Sequence, residues 1–211
     1  RGAGERLGRG PYVTEGCGDG PGATGSAFVE GGADAAGVVT ADGVEFDGGR
    51  WFRTGDLVEH TPGGYLVVHD RLKQILVLDT GKNIAPQPIE GRFSTDERVE
   101  QLMLVGDDRK FVAALVVPNV EQLREWADEQ GLDLPDEPAA LVENERVNEW
   151  VADSIERVNE ELEKTEKIRK FALVAEEWTP ENNMLTPSLK KRRRDILSAH
   201  EEKVEEIYGG R

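Results

Sequence analysis

Four short stretches carry side chains able to do chemistry: Thr54-Gly55-Asp56, Asp70-Arg71, Gly81-Lys82-Asn83 and the basic run Lys190-Lys191-Arg192-Arg193-Arg194. Asp56 follows a glycine able to bend sharply, an arrangement that ends a strand and leaves a carboxylate exposed at the tip. Such a carboxylate accepts two hydrogen bonds, and a ribose 2′,3′-diol offers two donors side by side. An Asx-type turn is the other reading of the same three residues. Asp70-Arg71 arrives after one hairpin, so the Arg71 guanidinium returns to the neighbourhood of Asp56. Glu90, following two prolines, reads as the start of a helix, where the dipole favours a carboxylate; an active-site contact is the alternative. Taken alone, the run at 190–194 is a solvated basic patch or a nucleic-acid or targeting cluster. The total charge argues against nucleic acid, because 42 acidic against 26 basic side chains give −16, a field that repels polyanions.

Those residues need elements to position them. Residues 1–50 hold most of the 24 glycines, with short apolar pieces (Ala27-Phe28-Val29, Val44-Glu45-Phe46) between turn signals, and predict loops and short strands. From 51 to 84 the pattern is two-fold: Leu66-Val67-Val68 follows the Pro62-Gly63-Gly64 turn, and residues 75–78 form a short apolar run before Gly81. Tyr65, Trp51 and Phe52 are expected in the core. Pro86 and Pro88 pre-set a helix over 89–101, after which 102–105 pairs with 111–117 across Gly106-Asp107-Asp108. Helical periodicity then covers 120–130 and 139–164, the latter with Val147, Val151, Ser154, Val158 and Leu162 on one stripe that packs on the sheet. A strand at 171–174 and a closing helix at 188–208 complete the pattern.

A chain of 211 residues with 37% apolar content can bury a real core. It has no apolar run near the roughly 20 residues that cross a bilayer, and no leader-like opening, so a cytoplasmic location is expected. Cys17 is alone, which excludes an internal disulfide, and His60, His69 and His200 fall at no metal-ligand spacing, so no protein metal site is expected. The acidic surface, with 17 Arg and 9 Lys, suits either an ordinary soluble protein or a salt-adapted one. Opening on Arg1 within a glycine-rich stretch, the chain reads as a fragment of something longer.

The stretch "RWFRTGDLVEHTPGGYLVVHDRLKQILVLDTGKNIAPQPIE", with "NNMLTPSLKKRR" near the end, resembles the AMP-forming acyl-CoA synthetases of the adenylate-forming superfamily. "TGKNIAPQPIE" and "TPSLKKRR" are most similar to the long-chain fatty acid branch. The resemblance implies an α+β chain in two parts. Residues 1–69 would be the incomplete, β-rich end of a large ATP-binding domain, and 70–211 a small C-terminal lid of short hairpin, central sheet and flanking helices. It also implies a ligase that joins a fatty acid to the α-phosphate of ATP, accompanied by Mg, releasing pyrophosphate, and then passes the acyl group to coenzyme A.

Carried over residue by residue, Asp56 would hold the ribose hydroxyls and Arg71 would contact the nucleotide. Lys73 would be the hinge about which the lid swings between the two steps. Gly81, Lys82 and Asn83 would lie on the loop brought in for thioester formation, and Lys190 would reach into the site during adenylation. A mobile ammonium there neutralises charge building on carboxylate and α-phosphate oxygens. The family's Thr/Ser/Gly-rich phosphate loop and its adenine-contacting segment occur nowhere in the chain, and the acyl pocket is expected upstream. The Mg ligands are expected mostly outside it too, so by itself the chain is expected to be inactive. It requires the large N-terminal domain as partner. Other members of the superfamily, taking an aryl acid or a carrier-protein partner, and a non-catalytic or regulatory lid module are the alternatives.

Overall fold

The computed structural model, which describes residues 4–8, 13, 26–30, 49–63 and 65–209, divides into one unit over Arg1–Ile75 and a second over Leu76–Arg211. Cys17 and the apolar piece Val44-Glu45-Phe46 lie outside the described residues.

In the first unit, the alternating residues around Trp51 form one long strand, β3 (Arg50–His60), antiparallel to β1 (Gly4–Gly8), β2 (Phe28–Glu30) and β4 (Leu66–Arg71). The strand does not end at Gly55 as the sequence suggested. Leu7 faces Arg53 while Glu5 faces Leu57, so the intervening residues bulge, and Gly55 takes φ 70°, a left-handed conformation that suits glycine. A second irregularity passes over residue 69: Leu57 faces Asp70 and Val58 faces Val68. The hairpin closes through Thr61, whose amide donates to the Tyr65 carbonyl (2.9 Å) and whose hydroxyl accepts from the Tyr65 amide (3.1 Å). Tyr65 is 75% exposed rather than a core residue, because the turn that pins its backbone projects its ring outward. Trp51 and Phe52 are half-buried.

The second unit is a three-layer α+β domain. A two-stranded ribbon, β5 (Leu76–Val77) and β6 (Asn83–Ile84), leads into the short helix α1 (Pro86–Glu90) and a 3-10 turn at Gly91–Phe93. The helix expected over 89–101 is therefore only these two turns, since the chain is already extended at Val99. Strand β7 (Val99–Val105) pairs antiparallel with β8 (Ala113–Pro118), which pairs parallel with β9 (Lys170–Leu173). The sheet is buried on both faces, which explains the unbroken apolar run of β8. Leu102, Leu104, Ala114 and Val116 pack with α2 (Val120–Gln130), α3 (Pro138–Glu143) and α4 (Glu145–Glu160). Met103, Val105, Leu115 and Val117 pack on the other side with Trp178, α5 (Arg193–Ala199) and α6 (Glu201–Gly209).

Two long helices expected from the sequence are each divided. Asn144 leaves the helical conformation and its side chain accepts from the Arg146 amide (2.9 Å), which ends α3 and caps α4. The C-terminal segment begins as a turn at 186–190 and breaks again at His200, where φ is −119°. Ser154, fully buried on the α4 stripe, donates to Asp96 (3.0 Å), whose second oxygen meets Arg157 (3.0 Å).

His200 Nε2 accepts from the buried Trp178 indole N–H at 3.3 Å. Burial lowers the His200 pKa, with the Glu176 charge opposing and Lys203 reinforcing. The unfolded imidazole, near 6.5, therefore gains its proton before the folded one as pH falls. Stability should be full above about pH 6.5 and decline as pH drops through the folded value. Melting temperature should fall between pH 7.5 and 5.5, and His200→Gln should shrink that fall; an equal fall in the variant would assign the pH dependence elsewhere.

Candidate functional site

Asp56 and Arg71 come together as expected. They face each other across β3 and β4, and Arg71 Nε lies 3.2 Å from Asp56 Oδ1, with side-chain exposures of 67% and 25% respectively. The Thr54 hydroxyl donates to the Arg6 carbonyl (2.8 Å) and accepts from the Asp56 amide (3.1 Å), so it ties the bulge to β1 and fixes the backbone beneath the carboxylate. Asp56 thus projects from a braced bulge inside a strand, not from a strand's tip. Its neighbour Asp70 is 3% exposed and accepts from the Arg71 amide at 2.6 Å. A carboxylate held this way, with a guanidinium alongside, suits a vicinal diol.

Lys73 sits exposed in the 3-10 turn at Leu72–Gln74, two residues before the first unit ends at Ile75. Gly81, Lys82 and Asn83 are exposed at the bend between β5 and β6. Gly81 takes φ 78°, its amide donates to the Leu78 carbonyl (2.8 Å), and the Leu78 amide donates to the Lys82 carbonyl (3.0 Å). The ribbon is anchored on the β7–β8 turn, because the Asp79 amide donates to the Arg109 carbonyl (3.0 Å) and the Asp108 amide to the Val77 carbonyl (2.8 Å).

Lys190 ends a tight turn. The Thr186 amide donates to the Lys190 carbonyl (2.8 Å), the Leu189 amide to the Thr186 carbonyl (2.8 Å), and the Lys190 amide to the Thr186 hydroxyl (3.0 Å). Leu189 is left-handed at φ 58° and 69% exposed, a conformation that costs a non-glycine residue about 1–2 kcal/mol. The basic run is divided in use. Lys191 and Arg193 meet the Glu90 carboxylate at 2.6 and 2.7 Å, and Arg192 lies 3.6 Å from Asp195. The exposed Lys190 ammonium has no ion pair or hydrogen bond among the described residues.

Glu90 closes α1 instead of starting a helix, so its expected role at a helix N-terminus is corrected. The ion pairing of Glu90 with Lys191 and Arg193 escaped sequence reasoning because the partners stand about a hundred positions apart. The one local signal is that Lys191 and Arg193 are two residues apart, as side chains on one side of an extended segment are. Among the described residues, no group of three or more His, Cys, Asp or Glu side chains is placed to hold a metal ion, and no helix is long and apolar enough to cross a membrane.

The family profile described as AMP-binding enzyme C-terminal domain matches residues 73–211. A Mycobacterium tuberculosis protein named as a fatty-acid–CoA ligase, fadD11, is 31% identical over 206 residues, covering 97% of this chain and 33% of its own length. Human long-chain-fatty-acid–CoA ligase 1 is 31% identical over 172 residues, covering 80% of this chain and 24% of that protein. The chain thus spans a third or less of the length of these curated relatives. Among solved structures, the A domain of a carboxylic acid reductase from Segniliparus rugosus, in complex with AMP and a co-purified carboxylic acid, superposes with TM-score 0.73 at 24% identity, over 98% of this chain and 28% of that one. The adenylation domain of a Mycobacterium chelonae carboxylate reductase gives 0.61 at 28% identity, over 81% and 25%.

Proposed function

The chain belongs to the AMP-binding enzyme family, in its C-terminal domain, and from that premise we propose that it is the C-terminal part of a long-chain fatty acid–CoA ligase. The observation that carries the reading is the division of the basic run: Lys191, Arg192 and Arg193 are spent on acidic partners and Arg194 lies exposed on α5, while Lys190 stands uncommitted on a braced turn. A solvated patch gives no reason for one lysine to be set apart.

In this reading, residues 1–69 finish a large domain that supplies the phosphate loop and acyl pocket, and 70–211 are the lid. Asp56 accepts from the ribose hydroxyls, and Arg71 orients that carboxylate and contacts the nucleotide. A fatty acid carboxylate oxygen bonds to the α-phosphorus of ATP, pyrophosphate leaves, and the Lys190 ammonium balances the charge that builds on the oxygens between them. Mg travels with ATP and partly neutralises its phosphates. The lid then turns about Lys73, drawing Lys190 away and bringing in the Gly81-Lys82-Asn83 loop. The coenzyme A sulfur attacks the acyl carbonyl, AMP departs with the bonding pair, and the thiol proton passes to solvent. The location of Lys73 just before the end of the first unit, and the anchoring of the Gly81 ribbon apart from the Lys190 turn, support this division of labour.

A second reading is favoured by the superposition on carboxylate reductase adenylation domains: the same first step, with the acyl group handed to a carrier-protein thiol. Acid-dependent ATP–pyrophosphate exchange by the full-length protein, followed by identification of the thioester, tests both. Long-chain fatty acids should drive exchange and yield acyl-CoA. Exchange only with aryl acids, or a thioester only on a carrier protein, would replace the first reading by the second. No exchange with any acid would leave a lid without catalysis.

A further inference from the structure

Glu90 joins the base of the Lys190 turn to the sheet. Its side chain is 8% exposed; Oε1 accepts from the Leu104 amide (2.9 Å) and from Arg193 (2.7 Å), and Oε2 takes Lys191 (2.6 Å). Lys191 also donates to the Leu102 carbonyl and Arg193 to the Leu104 carbonyl. Among the described residues, strand β7 is an edge strand, paired with β8 alone. Leu102 and Leu104 alternate with Gln101, Met103 and Val105 along it, so one carboxylate and two cations satisfy backbone groups that an unpaired edge would otherwise leave open. The clamp stands where a further strand would pair.

Residue 191 is consequently fixed three ways: by its bridge to Leu185, by the Arg192 amide donating to Met184 (2.8 Å), and by its ammonium on Glu90. Lys190, the next residue back, has a side chain with none of these ties and takes its place from them. We propose that Glu90 is a positioning residue for Lys190, setting the height and direction from which the free ammonium leaves the domain. The proposal rests on the adenylation role given above to Lys190. Neutralising Glu90 leaves two adjacent cations without their shared counter-charge, and their repulsion displaces the base of the turn while the apolar layers stay packed.

The test is a double-mutant cycle in the full-length ligase. Glu90→Gln should lower the adenylation kcat by roughly tenfold to a hundredfold, the loss that a displacement near 1 Å brings. KM for ATP should be little changed, and thioester formation from supplied acyl-AMP should stay near the unsubstituted rate. In a Lys190→Ala background the same substitution should add nothing, because the group it positions is gone. Losses that add in the double variant, or that fall equally on both steps, overturn the proposal. Lys191→Gln keeps Glu90 with Arg193 and should give the same pattern more weakly, so it decides the matter if Glu90→Gln does not fold. If Lys190→Ala is impaired while both clamp variants match the unsubstituted enzyme, only the positioning role falls; if Lys190→Ala is itself unimpaired, the lysine's role falls and the proposal with it.

Discussion

In the full-length protein, Asp56→Ala should raise the dissociation constant for ATP by about a hundredfold or more while leaving the melting temperature nearly unchanged. A carboxylate that accepts two ribose hydroxyls makes two charge-assisted bonds, each worth roughly 1.5–3 kcal/mol, and about 1.4 kcal/mol is tenfold in affinity. The contact Asp56 makes within the chain is worth far less. Its ion pair with Arg71 is largely open to solvent on the arginine side, with that side chain 67% exposed, and exposed pairs contribute about 0–1 kcal/mol. The Thr54 hydroxyl, which braces the bulge, binds the Asp56 amide and not its carboxylate, so alanine leaves that brace intact. Binding measured by calorimetry and stability measured by thermal unfolding therefore separate the two roles. Unchanged ATP affinity would return Asp56 to structure alone.

In the full-length protein, Lys190→Ala should cut fatty acid-dependent ATP–pyrophosphate exchange by roughly a hundredfold or more, as removal of a preorganised electrostatic group does. Three features make this more than a generic loss of charge. The ammonium is uncommitted among the described residues, so its removal breaks no ion pair that stabilises the domain. Backbone bonds from Thr186 and Leu189 hold the turn without the lysine side chain. Lys191 and Arg193 stay on Glu90 and are not free to substitute. An exchange rate within a few-fold of the unsubstituted enzyme would make Lys190 a solvated surface residue.

The two-fold pattern of 51–84 and the apolar run of β8 were legible because each strand's fate is written in adjacent residues. The same holds for α2, bounded by Asn119 and by Gly131 at φ 66°. The divided helices were harder. Apolar periodicity carries through 139–164 and only the cap at Asn144 interrupts it, a signal present in the sequence but outweighed there by the stripe. Gly55 was correctly read as a bend, yet whether a bend ends a strand or bulges it depends on β1, far away in sequence. Of the proposed site, Asp56, Arg71 and Lys190 were singled out by their motifs, and the structure brings Asp56 and Arg71 together. The Glu90 clamp was not singled out, because nothing local to Glu90 or to Lys191 and Arg193 says that they will share one edge of β7.

The most direct measurement of the account is thioester formation by Lys190→Ala when synthetic acyl-AMP and coenzyme A are supplied, so that adenylation is bypassed. A lysine used only while the lid is in its first arrangement has no part in the second step. The variant that fails at pyrophosphate exchange should therefore make acyl-CoA at near the unsubstituted rate. Equal loss in both half-reactions, or in neither, would contradict the account and take Lys190 out of the site.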